Sequence, residues 1–211
     1  MSPKQKYYEN AAATVIKNLE RRRMEGFYCA TKEEAVSKIM EIMEKGKSVA
    51  WGGSMSLNEC GIMSAIQNGD YEIINREEAK TKEEQKEVYG KICGCDYFLM
   101  STNAITLDGK LVNVDGRGNR VSFLCFGPEN VIIVAGMNKL VKDEKAAIDR
   151  VRNMAAPPNT VRLNKNTPCS VTGECADCLS ADCICAQTVI TRLSMLPNRI
   201  KVILVGEELG Y

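Results

Sequence analysis

Three stretches of this 211-residue chain carry residue types and spacings that could do chemistry. The first is Trp51-Gly52-Gly53-Ser54-Met55-Ser56, set between an apolar strand pattern and a helix pattern. Glycines let a backbone approach a ligand closely, and the free amides of a helix start favour phosphate or carboxylate. Ser54 and Ser56 add hydroxyl donors, and Ser56-x-x-Glu59 has the form of a capping box for the following helix. The same residues also suit a plain tight turn. The second stretch, Asp115-Gly116-Arg117-Gly118-Asn119-Arg120, gathers a carboxylate, an amide and two guanidiniums around two glycines. Arginine forks match carboxylate or phosphate bidentately. Asp115 is a candidate base, or simply the ion-pair partner of Arg117 or Arg120, and a charged turn is also ordinary solvated surface. Gly116-x-Gly118 is too short for a dinucleotide fingerprint.

The third stretch is C-x5-C-x2-C-x4-C-x-C, formed by Cys169, Cys175, Cys178, Cys183 and Cys185. Thiolates on a short irregular loop suit a tetrahedral zinc or an iron-sulfur cluster, though the spacing is not that of ferredoxins. Free structural or redox-active thiols fit the pattern too. Cys29, Cys60, Cys93, Cys95 and Cys125 lie in helix or strand patterns and read as small buried apolar residues.

Composition narrows the chemistry. Histidine is absent, which removes Ser-His and Cys-His nucleophiles and every mixed Cys/His zinc site. The 28 basic and 27 acidic residues give no global field to draw in nucleic acid or an anionic membrane, so an anionic ligand must be held by local geometry. No apolar run approaches the roughly 20 residues that cross a bilayer, and the polar start is unlike a secretory signal. The expectation is a cytoplasmic protein with reduced thiols, in which 45% hydrophobic residues suffice for a core without disulfides.

The elements that must position these residues alternate along the chain. Helical spacing of Tyr8, Ala11, Ala12, Val15, Ile16 and Leu19 predicts an N-terminal helix within residues 1–25, with an apolar face that lacks an early mate and makes a homodimer a candidate. Thr31-x-x-Glu34 opens a second helix that Gly46 stops, and 47–51 is a short strand. The rhythm continues with a helix over 56–68, a strand over 71–74, a helix from Thr81 to 89 and a strand over 97–100. Asp108-Gly109 joins a hairpin of 104–107 and 111–114, and 131–135 is a buried strand followed by a helix over 143–154. Pro157-Pro158 is expected to end that helix and open an irregular Cys-rich loop over 157–186, before a short helix and a last strand over 201–205. Such alternation predicts one α/β domain with a mostly parallel sheet and helices on both faces. Three strands end in glycine, at Gly52, Gly136 and Gly206; as neighbours they would open one crevice at the strand ends. Lys139, just past the buried strand, could reach into it, or lie exposed as loop lysines commonly do.

Trp51-Gly-Gly-Ser-Met-Ser-Leu57, the segment from Thr102-Asn-Ala-Ile-Thr through Asp115-Gly-Arg-Gly-Asn-Arg120, Phe126-Gly-Pro128, Ala135-Gly-Met-Asn-Lys139, Thr167-Pro-Cys169 and Cys175-x-x-Cys178 together resemble the LUD (lactate-utilisation) family, in order along nearly the whole chain. The resemblance implies a fold similar to the ribose-phosphate isomerase, glucosamine-phosphate deaminase and CoA-transferase group, with ligands at the strand ends. It also implies a link to lactate oxidation beside iron-sulfur subunits, and a cysteine pattern shared at Cys169, Cys175, Cys178 and Cys185, with Cys183 additional.

Three readings follow. In the first, an enzyme or enzyme subunit of lactate-type organic acid utilisation binds a small anionic or phosphorylated ligand through Gly52, Gly53, Ser54, Ser56, Asn103, Asn119, Arg120, Gly136 and Lys139, with Asp115 and Lys139 as candidate catalytic groups. In the second, an accessory electron-transfer or assembly partner carries zinc or an iron-sulfur cluster on Cys169, Cys175, Cys178 and Cys185 and docks on an iron-sulfur oxidoreductase. The third is a non-catalytic interaction scaffold.

Overall fold

The computed structural model describes residues 2–211. Its chain order is α1 (Pro3–Arg21), β1 (Glu25–Cys29), α2 (Lys32–Ile42), β2 (Ser48–Trp51), α3 (Met55–Cys60), α4 (Ile62–Gln67) and β3 (Glu72–Ile73). After a 3-10 turn (Arg76–Glu78) come α5 (Lys82–Cys93), β4 (Tyr97–Met100), β5 (Ala104–Thr106), β6 (Leu111–Asp115), α6 (Asn119–Cys125) and β7 (Asn130–Gly136). Then follow β8 (Leu140–Val141), α7 (Glu144–Arg150), a π-helical turn (Val151–Ala155), α8 (Ala156–Arg162), α9 (Pro168–Thr172), β9 (Gln187–Thr191) and β10 (Ile200–Val205).

Six strands form one sheet in the order β1-β10-β7-β4-β2-β3, and every pairing in it is parallel. The period-two alternation of a strand buried on both faces divides β7. Val131, Ile133 and Ala135 join one core with Val15 and Leu19 of α1, Ile92 of α5 and Phe123 of α6. Ile132 and Val134 join the other, with Ile39 of α2, Leu57 of α3 and Ile62 and Ile66 of α4. The α/β architecture with helices on both faces is therefore as the alternation predicts. A second sheet, β8-β5-β6-β9, holds the Asp108-Gly109 hairpin, with Gly109 at φ 84°. It presents Ile105 and Leu111 to the first core and Ala104 and Val112 to Ala147 of α7.

Several expectations are corrected. The apolar face of α1 has a mate within the chain: Ala12, Val15 and Leu19 are fully buried against the sheet, which removes the reason for expecting a homodimer there. Residues 25–29, where the sequence pattern predicts no strand after the N-terminal helix, are edge strand β1, where Gly26 brings its backbone against Ile16 of α1. The helix expected over 56–68 starts earlier, on Ser54 as its cap, and breaks at Gly61 (φ 83°). Ser56 lies inside the helix and caps nothing, so the proposed Ser56-x-x-Glu59 box does not form.

Pro157-Pro158 does not end the helix. Neither proline has an N–H to donate, and the ladder just before them widens to i→i+5, with the Ala156 N–H donating to Val151 O, so that both prolines fall in the first turn of α8. The irregular segment is correspondingly shorter than 157–186, because α8 and α9 occupy its first part. Where a short final helix was expected, Thr188, Val189, Ile190 and Thr191 form β9, a β-branched run that pairs antiparallel with β6. Cys29, Cys60 and Cys95 are buried as expected, but Cys125 at the end of α6 is exposed.

Candidate functional site

β7, β4 and β2 are neighbours, and their carboxyl ends lead into Met137–Lys139, Ser101–Asn103 and Gly52–Ser56 respectively. A cleft of about 380 Å³ opens where those three segments meet. This is the end of a parallel sheet at which ligands are generally held. The far wall comes from the π-helical turn and α8 (Val151, Ala155, Ala156) and from Ile184 and Cys185.

Lys139 forms the floor. It sits in a 3-10 turn after β7 and is 4% exposed, so the exposed-loop alternative does not hold. Its Nζ donates to Ser56 Oγ at 2.9 Å and Ser101 Oγ at 3.0 Å, and among the described residues it has no carboxylate partner. Ser56 Oγ in turn donates to the Leu209 carbonyl, and Ser101 Oγ to the Thr102 carbonyl, so both hydroxyls offer lone pairs to the amine. Burial, then the guanidiniums of Arg150 and Arg120, lower the Lys139 pKa to about 7, against a smaller opposing pull from Glu59. Arg150, 6% exposed, backs the floor by donating to the carbonyls of Asn138 and Asn103.

Arg120 braces the wall from β6 and α6. Its Nη1 donates to Ser101 O (2.9 Å) and Asn113 Oδ1 (2.6 Å), and its Nη2 donates to Asn103 Oδ1 (2.9 Å) and Val114 O (3.1 Å). Both ends of the fork are thus taken up by the protein, and Arg120 supplies positive charge to the cleft without a free bidentate face. Burial lowers its pKa, opposed by Asp115. Asp115 Oδ2 accepts from the Arg120 and Val121 N–H groups at the start of α6 and lies 3.9 Å from Arg120 Nε. These contacts make it a helix cap and an ion-pair partner. Asn113, fully buried, turns Oδ1 to Arg120 and leaves its Nδ2 unpartnered.

The LUD domain family profile matches residues 12–205. The chain belongs to the LUD domain family. Along 94% of this LUD domain and 98% of its counterpart, the fold is similar to a DUF162 family protein from Deinococcus radiodurans, with 10% identity and a TM-score of 0.55. Partial overlaps involve ribose 5-phosphate isomerase A from Neisseria gonorrhoeae (11% identity, 55% of this chain and 56% of that one, TM-score 0.35). The isomerase from Plasmodium falciparum overlaps likewise (18% identity, 53% and 52%, TM-score 0.33). Overlaps of that quality carry no functional argument. No curated protein matches the sequence.

Within the LUD domain the cleft gathers Gly53, Ser54, Ser56, Asn103, Asp115, Asn119, Arg120 and Lys139 from the residues singled out by sequence. Gly52 and Gly136 are not among its lining residues. The Gly52 N–H donates to Leu99 O, and a Cβ at Gly52 would press on Arg120 Cγ at 3.1 Å. Gly136 and Gly206 instead admit close backbone packing, since a Cβ would lie 2.5 Å from Leu209 N and 2.6 Å from Ala30 O respectively. β4 separates β2 from β7, so the three terminal glycines do not form one crevice. The N–H groups of Gly53 to Ser56 make no hydrogen bond within the described residues, but α3 is only six residues long. The cleft's positive character therefore rests on its side-chain cations.

Sequence reasoning missed Ser101, Arg150, Arg76 and Arg162. Arg150 had a signal: it follows Ala147 by three, on the buried face of α7. Ser101, directly after an all-buried strand, had one too. Arg76 had none, because only the fold brings its Nη2 within 3.1 Å of a Cβ built at Gly53.

All five cysteines of the late motif line a separate pocket of about 160 Å³, which shares Val114, Val151, Ala156, Ile184 and Cys185 with the cleft. Burial, then Cys183, Cys175 and Cys169, push the Cys185 thiol up to about 12. Thiol sulfur is the right donor for zinc or an iron-sulfur cluster, but among the described residues no three metal-ligating side chains are grouped to hold a metal.

Proposed function

We propose that this LUD domain binds a small carboxylate- or phosphate-bearing metabolite in the cleft, as an enzyme or enzyme subunit of lactate-type organic acid utilisation. The observation that carries the reading is the charge of the lining: Lys139, Arg120, Arg76 and Arg162 against Asp115 and Glu77, with Lys139 buried at the floor and no carboxylate beside it. The three arginines carry the charge that an incoming anion meets, while burial without a counter-ion holds the Lys139 amine partly uncharged. The family supplies the connection to lactate-type acids. No helix of the described residues is long and apolar enough to cross a membrane.

Thermal unfolding with lactate, pyruvate, ribose 5-phosphate and CoA esters tests this reading. At a ligand concentration near a hundredfold the Kd, stabilisation of about 2.7 kcal/mol is expected from at least one class. Arg76→Ala should weaken that response. Unchanged melting with every compound would overturn the reading.

The electron-transfer alternative retains one supporting observation, the common pocket shared by the five late cysteines. Metal analysis of anaerobically purified protein decides it. Stoichiometric zinc or iron lost on Cys175→Ser would support it, whereas metal-free protein would remove it.

A further inference from the structure

The environment of Lys139 is specific about more than charge. An ammonium has three N–H donors, and two of them meet Ser56 Oγ and Ser101 Oγ. Among the described residues the third finds no acceptor. A neutral amine fits the same site without a deficit, donating its two hydrogens to the two hydroxyls and keeping its lone pair for the remaining direction. Lys139 also lines the cleft, so its amine is not sealed in the core.

We propose that Lys139 Nζ is a nucleophile that forms a Schiff base with an anionic oxo compound bound in the cleft. The inference rests on the proposed anion-binding function and names the chemistry of that ligand, a ketone or aldehyde carrying a carboxylate or phosphate. The lone pair of Nζ attacks the carbonyl carbon, a C–N bond forms, and the carbonyl oxygen takes up a proton as nitrogen loses one. The resulting carbinolamine then expels water as its C–O bond breaks, leaving a C=N bond. No oxidant or reductant is required. Ser56 and Ser101, at 2.9 and 3.0 Å from Nζ, are placed to pass the proton between nitrogen and oxygen. Arg120 and Arg150 raise the local positive potential that holds the anionic end and keeps the amine neutral, while Glu59 opposes them. Burial that brings the amine to about 7 leaves a large neutral fraction at physiological pH.

The test is reductive trapping. Intact protein at pH 7 is incubated with pyruvate in one arm and ribose 5-phosphate in another, treated with sodium borohydride and digested for mass spectrometry. The expected result is one adduct on the Lys139 peptide, equal in mass to the oxo compound less one oxygen. Its yield should exceed that at exposed lysines by at least about tenfold, since ordinary lysines with pKa near 10.4 stay protonated at pH 7. Lactate, which has no carbonyl, should compete without being trapped, and the arm that labels identifies the anionic group. An aldehyde or ketone that raises the melting temperature yet leaves Lys139 unlabelled would overturn the Schiff base while sparing the anion site. Absence of both labelling and thermal response would overturn both. Wild-type labelling spread evenly over surface lysines would also reject the proposal, whether or not Lys139→Met folds.

Discussion

Lys139→Met is expected to stabilise the protein at pH 7, and the advantage is expected to shrink as pH rises toward 10. Burial and two nearby guanidiniums lower the Lys139 pKa from 10.5 to about 7. Between those values the unfolded chain carries the proton and the folded chain does not, so wild-type stability rises with pH across that window. Below pH 7 the full penalty of the buried ammonium is present; above 10.5 it is gone. At about 1.4 kcal/mol per pKa unit, the wild-type minus Lys139→Met difference should change on the order of 5 kcal/mol across the window. Tyrosines and the remaining thiols titrate in both proteins and cancel in that difference. Methionine keeps the length of the side chain and removes the charge, the type of exchange that often stabilises a buried site. Denaturant unfolding of both proteins from pH 6 to 10 measures it. A pH-independent difference would show that the amine is not held neutral by its surroundings.

Arg120→Met should act in the opposite direction, with a loss of about 3–5 kcal/mol in urea unfolding. Ser101 O, Val114 O and Asn113 Oδ1 lose the Arg120 donor together, and Asn103 Oδ1 keeps only the Val114 N–H. Asn113 is already unpartnered at Nδ2, so its amide would be left without any partner. Arg120→Lys should recover less than half of the loss, because one ammonium cannot reproduce a planar fork spanning β6, the end of β4 and α6. Full stability in Arg120→Met would mean that these contacts are dispensable. The thermal response to ligand should fall with Arg120→Met as well, because Ser101 and Asn103 line the cleft on the segment it braces.

Periodicity made the sheet and most helices legible, because a strand buried on both faces and a helix buried on one leave different marks in sequence. Strands β1 and β9 were hidden for another reason. Each lies at a sheet edge and is only partly buried, so neither shows the dense apolar run of β7. The proline pair misled because Pro157 and Pro158 ordinarily close a helix, whereas the π-helical turn before them absorbs both missing donors. Within the candidate site, Lys139, Ser56 and Asn103 were readable from their place after strands. Sequence exposes charge but not its use: Arg120 and Asp115 looked ligand-facing, and both are engaged in bracing. The partners that give Lys139 its character, Ser101 and Arg150, come from different parts of the chain and meet only in the folded protein.

The placement of β10 between β1 and β7 also bears on how the chain is assembled. Glu25 aligns with Lys201, so the first strand must wait for nearly the last before it has a neighbour. During synthesis the α1–β1 unit therefore has no edge to join, and β7 presents its open side until β10 arrives. Such distant parallel pairing is slow, and an unpaired, wholly apolar edge is where nascent chains stick to one another. Rapid refolding from denaturant should thus be limited by closure of this central gap rather than by formation of the cleft.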